Sequence, residues 1–153
     1  QLTKDIGFDM KNYFQSILIF LFSFCCFPAL ADIHFKNSSI KVSSGMGKAA
    51  AVFMTIKNDS DVSDRLMSVT TTSAKKAMLH DTVVSSNGVV KMKHIMMGLK
   101  FGVGEEIILK SGGKHIMLMG LTEKLQKGNL VKLVLKFKNA GELETTVVVN
   151  DNN

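Results

Sequence analysis

Residues 76–96 read KAMLHDTVVSSNGVVKMKHIM, two runs rich in valine and alternating side chains on either side of Asn87-Gly88. Asparagine followed by glycine tolerates positive φ at both positions, so the spacing predicts a type I′ hairpin that joins 76–84 to 89–96 as antiparallel neighbours. The same grammar extends outward. From Asp32 onward, runs of four to ten residues rich in Val, Ile, Thr and Phe cover about 33–42, 49–57, 64–71, 76–84, 89–96, 105–110, 114–120, 130–138 and 143–150. Punctuation falls at Ser44-Gly45, Asn58-Asp59-Ser60, Asn87-Gly88, Gly102 to Gly104, Gly112-Gly113 and Asn139 to Gly141. No 3.6-residue periodicity is sustained, and there is no internal repeat. Eight or nine short strands with regular turns predict an all-β, two-sheet Greek-key sandwich. The run from Leu130 to Phe137 is apolar at most positions and reads as a strand buried along most of its length.

The chain before Asp32 has a different character. Lys11 and Asn12 precede the apolar run Ile17 to Phe22, and the segment closes on Ala29-Leu30-Ala31. A charged start, a short apolar stretch and a small-x-small end make residues 1–31 an N-terminal extension with a secretory signal peptide, too short to span a membrane stably. An uncleaved signal acting as an anchor is the alternative, and Phe24 before Cys25 does not provide the small residue that precedes a lipidated cysteine. Residues 32–153 then form one exported domain of 122 residues, with no cysteine and a net charge of +6. The lysines are spread out and the aromatics sparse, which argues against nucleic-acid binding. Neither a Gly-rich nucleophile turn nor paired carboxylates beside a histidine can be found, so an enzyme with a small-molecule substrate is not expected. Nothing in the pattern calls for an oligomer, and a monomer is expected.

Methionine is the anomaly: ten in 153 residues, with four histidines and no tryptophan. His115, Met117 and Met119 are spaced by two, as are Met92, His94 and Met96, and Met78 and His80, so each strand puts its His and Met on one face. Thioether and imidazole without thiolate form a soft, neutral donor set that suits Cu(I), whereas zinc prefers Cys, His or carboxylate and calcium prefers oxygen. Methionine as irregular core filler is the competing explanation for any one of these residues. A blue-copper electron-transfer centre needs a cysteine ligand that this domain lacks.

The segments Ala77-Met78-Leu79-His80-Asp81-Thr82, Asn87 to Lys93 and Leu109 to Leu121 resemble the periplasmic copper chaperones of the PCu(A)C type, and the likeness extends upstream through Ala50 to Asn58 and Asp64 to Val69. The resemblance implies a cupredoxin-like sandwich that binds Cu(I) through a His, a Met about a dozen residues later and a His-x-Met beyond it. Carried over, these are His80, Met92, His115 and Met117. Met78 stands where the family often has an acidic residue. The resemblance further implies delivery toward the CuA or CuB centres of cytochrome c oxidase, with its copper subunit or a Sco-type protein as partner. Copper sequestration without a dedicated acceptor and a metal-free envelope interaction module are the alternatives. Met78, His94 and Met119 are secondary candidates, Met119 being expected to pack at the end of its strand. His34 is another: cleavage after Ala31 would place a free amine two residues before it, a nitrogen set for Cu(II).

Overall fold

The computed structural model describes residues 32–43 and 48–150; the expected signal peptide in 1–31 and the expected turn at Ser44-Gly45 lie outside the described residues. Ten strands form, and no helix appears among the described residues: β1 (Ile33–Val42), β2 (Ala49–Asn58), β3 (Asp64–Thr70), β4 (Ala74–Val84), β5 (Val90–His94), β6 (Leu99–Phe101), β7 (Glu106–Leu109), β8 (His115–Leu121), β9 (Leu130–Phe137) and β10 (Glu142–Val148). One antiparallel sheet runs β1-β2-β8-β4-β5, with β7 also pairing with β2; the second runs β10-β9-β3-β6. Chain neighbours are often not sheet neighbours. β8 inserts between β2 and β4 and β9 lies beside β3, the long returns of a Greek-key layout.

Alternation decides which residues lie between the sheets. Even-numbered residues of β2 (Ala50, Val52, Met54, Ile56) and Ile116 and Leu118 of β8 meet Leu66, Val131, Leu133, Leu135 and Phe137 of the facing sheet, all almost fully buried. Each such aliphatic or aromatic side chain contributes about 1.5–3 kcal/mol by leaving water. The odd-numbered side of β8, which carries His115, Met117 and Met119, therefore faces away from the core.

Three expectations are corrected. Among the described residues the strands number ten, because Leu99–Phe101 forms the short β6 against β3; three residues are too few to show alternation. β9 is buried on one face only, its outward Lys132 and Lys136 pairing with Glu144 and Glu142 of β10. The hairpin joins β4 to β5 as expected, but Asn87 does not take positive φ. Ser85 accepts the Gly88 N–H at 2.9 Å and Gly88 alone is left-handed (φ 80°), a three-residue loop of type I followed by a glycine bulge.

Candidate metal centre

Strand register assembles the site. In the β8-β4-β5 part of the sheet His80 is paired with His115 on one side and with His94 on the other, so three imidazoles form one row across three strands. Their ring centroids are 5.8 Å apart for His80 and His115 and 5.7 Å for His80 and His94, both pairs edge to face. Met117, two residues along β8, is flanked by Ala51 of β2 and Met78 of β4. Met92 lies on β5 opposite Thr82, two residues along from His80 on β4. His115, Met117, Met92 and Thr82 line a single groove of about 350 Å³, walled on the far side by Lys41 of β1 and Phe53 of β2. His80 does not line the groove; its ring stands behind it, against that of His115.

The two histidines are prepared differently. His115 is 4% exposed, and its Nδ1 lies 2.9 Å from the Gly113 carbonyl. A carbonyl only accepts, so Nδ1 carries the proton and Nε2 keeps its lone pair for a ligand. The turn supplying that carbonyl is tied by the Lys110 N–H to the Lys114 carbonyl at 2.7 Å and by the Gly113 N–H to the Lys110 carbonyl at 3.2 Å. His80 has the opposite condition: its Nδ1 is buried and has no hydrogen-bond partner. Leaving a buried polar atom unpaired costs about 1–3 kcal/mol unless something else satisfies it. Burial, and then the neighbouring His115 and His94, push His80 below its ordinary value of 6.5, so it is held neutral and able to donate a lone pair.

Sulfur is needed to complete any metal-binding set. No group of three or more His, Cys, Asp or Glu among the described residues is placed to hold a metal ion. The imidazoles of His80 and His115 and the thioethers of Met92 and Met117 lie on neighbouring strands, and their donor atoms are soft and uncharged. Met92 is 64% exposed and Met117 half-buried, so the site opens on the Met92 side.

The secondary candidates separate. Met78 and His94 extend the row away from the groove. Met119 is not packed at the strand end: it is 40% exposed on the outer face, opposite Ala49 and Lys76, because Leu118 rather than Met119 takes the core side of β8. Met96 does not share the face of Met92 and His94, since β5 stops at His94 and the chain turns toward β6. His34 lies near the start of β1, where its Nε2 is 2.8 Å from Asp32 and 3.7 Å from Asp59, while the Asp32 carbonyl accepts the Asp59 N–H at 2.8 Å. It is remote in register from Ala51 and the groove. Lys41, Phe53 and Thr82 were not legible as site residues, because they reach the groove only through the pairing of β2 with β8 and of β4 with β5.

Residues 33–149 match the family described as "LpqE-like: Putative lipoprotein LpqE-like". "Putative lipoprotein Lxx21020" of Leifsonia xyli subsp. xyli is 32% identical over 130 residues, covering 81% of this chain and 78% of the relative. Among solved structures, the Cu(I) form of DR1885 from Deinococcus radiodurans is 27% identical with a TM-score of 0.60, covering 82% of this chain and 80% of that one. The copper-bound PCuAC domain from PmoF2 is 18% identical with a TM-score of 0.64, covering 80% and 96%. The sandwich is thus the cupredoxin-like fold of PCuAC domains.

Proposed function

The chain belongs to the LpqE-like family and has the PCuAC fold, and from that footing we propose that it is an exported Cu(I) carrier that holds one ion through His80, Met92, His115 and Met117. The observation that carries this reading is the unpartnered Nδ1 of His80 beside His115, which shares one groove with Met92 and Met117. A buried ring nitrogen with no partner in the protein is a position that a partner from outside can fill. Cu(I) is the cargo and leaves as it arrived, so the protein is a carrier rather than an enzyme.

Release follows from the openness of the site. A thiolate of an acceptor displaces the exposed Met92 thioether first, and each further donor is exchanged in turn, so that the ion is never free. The acceptor is the copper subunit of cytochrome c oxidase, at CuA or CuB, or a Sco-type protein, and the carrier acts as a monomer in the periplasm. A relative named as a lipoprotein supports export.

The test is anaerobic Cu(I) titration against a chromogenic chelator, using the chain with Cys25→Ser and Cys26→Ser so that thiols do not compete. Tight binding that is lost in the Met92→Leu, Met117→Leu variant, followed by transfer to a purified CuA domain, is the expected result. Binding without transfer would turn the reading to sequestration, and no binding would leave an interaction module.

A further inference from the structure

Beyond His94 the soft donors continue. Ile95 donates its N–H to the Leu79 carbonyl at 2.8 Å, and the chain then leaves the first sheet for β6 in the second. The crossing is fastened to β3: Arg65 donates from its guanidinium to the Met97 carbonyl at 2.9 Å, and Gly98 (φ 69°) comes so close to the Leu66 carbonyl that a Cβ would lie 2.4 Å from it. Only glycine fits there. Fastening the turn brings Met96 next to Met67, which sits at the register shift of β3 between Leu66 and Ser68. Met67, Met78, His94 and Met96 together line a groove of about 290 Å³, floored by Ala77 and Leu79.

Packing does not explain these side chains. Met67 is 43% exposed and Met96 is 81% exposed, so neither fills a gap in the core. No carboxylate lines the groove, which removes the ligands that calcium, magnesium or a mixed zinc site would use. Three thioethers and one imidazole remain, a set selective for a soft monovalent ion.

We propose that this groove is a second Cu(I) position. It abuts the first: His94 is the register partner of His80, and Met78 is the partner of Met117. The His80 and His94 rings, one from each position, are 5.7 Å apart between centroids. The ion crosses by exchange of neutral ligands and remains Cu(I) throughout. Its role as a staging point at the exposed sheet edge, between the first position and an acceptor, rests on the carrier reading; its existence as a binding site does not.

The experiment loads the full chain, with Cys25→Ser and Cys26→Ser, with Cu(I) under anaerobic conditions while the methionine methyl groups, labelled with carbon-13, are followed by NMR. The expected result is two equivalents, the first shifting the methyls of Met92 and Met117 and the second those of Met67 and Met96. In Met67→Leu, Met96→Leu the second equivalent weakens by more than about tenfold and the first is unchanged; both positions are exposed, so the fold is retained. A single equivalent that leaves Met67 and Met96 unmoved overturns the second position and spares the first. Shifts at Met67 and Met96 without any at Met92 and Met117 overturn the four-ligand carrier site and uphold the second position.

Discussion

The sandwich has two concentrations of buried polar groups, and they are built on opposite principles. Around Asn58 and Asp64 the bonding is closed. The Asn58 amide donates to the Val62 and Gly102 carbonyls and accepts from the N–H and hydroxyl of Ser60, while the Asp64 carboxylate accepts N–H groups from Arg65, Asn139 and Ala140. On the outer face of the first sheet, His115 is half satisfied by Gly113 and the Nδ1 of His80 by nothing. Polar groups that hold loops together find all their partners within the chain. The histidine pair keeps one bond open, and among the described residues a buried side-chain nitrogen or oxygen is left without a partner at His80 alone.

Breaking the closed region has the largest effect. Asn58→Ala removes the amide donor from the Val62 and Gly102 carbonyls, which keep bonds from the Ser60 hydroxyl and the Glu105 N–H, and removes the acceptor of the Ser60 N–H; it is expected to cost about 2–4 kcal/mol of stability, read as a lower urea midpoint, with Cu(I) affinity unchanged in the folded protein. Next comes the open region: His115→Ala should weaken Cu(I) by more than about a hundredfold, whereas Met119→Ala should leave it within about twofold; equal losses would break the ligand assignment. A smaller effect sharpens the contrast. His80→Leu removes an unsatisfied nitrogen, so the copper-free protein is expected to gain up to about 1 kcal/mol while losing its copper site, and a clear loss of stability would make that ring structural instead.

The smallest effect is on pH dependence. His80 is held below its ordinary 6.5 by burial first and by His115 and His94 second. The unfolded chain therefore takes up a proton that the folded chain refuses, so this contribution is complete above about 6.5 and declines as the pH falls from there through the folded value. Urea midpoints of the copper-free protein across that window should slope less in His80→Leu. Cu(I) affinity should fall in the same direction, because a protonated imidazole does not ligate.

What was legible in the sequence follows from the distance over which each signal acts. Spacing by two placed His115 with Met117, and Met78 with His80, because alternation is local to a strand. Nine strands were readable as runs; β6 was not, since its three residues are defined by the Leu66 to Leu99 pairing rather than by pattern. The type of the Asn87-Gly88 turn was misread because two glycine-tolerant positions allow two loops, and the bond from Gly88 to Ser85 selects one. Met96 and Met67 meet only through the fastening of Gly98 against Leu66. No run of residues announces that contact.

β2 is shared: β1 lies along one side, and β7 and β8 follow each other along the other. Its partners are thus near neighbours in the chain on one edge and, on the other, segments synthesised some fifty to seventy residues later. Such non-local pairing belongs to chains that fold in milliseconds to seconds rather than microseconds. The groove beside His115, with one wall from β1 and β2 and the other from β8, consequently matures late. A chain emerging from a ribosome has no assembled groove until Leu121 is free to move, which separates the time of synthesis from the time at which the proposed ion could be loaded.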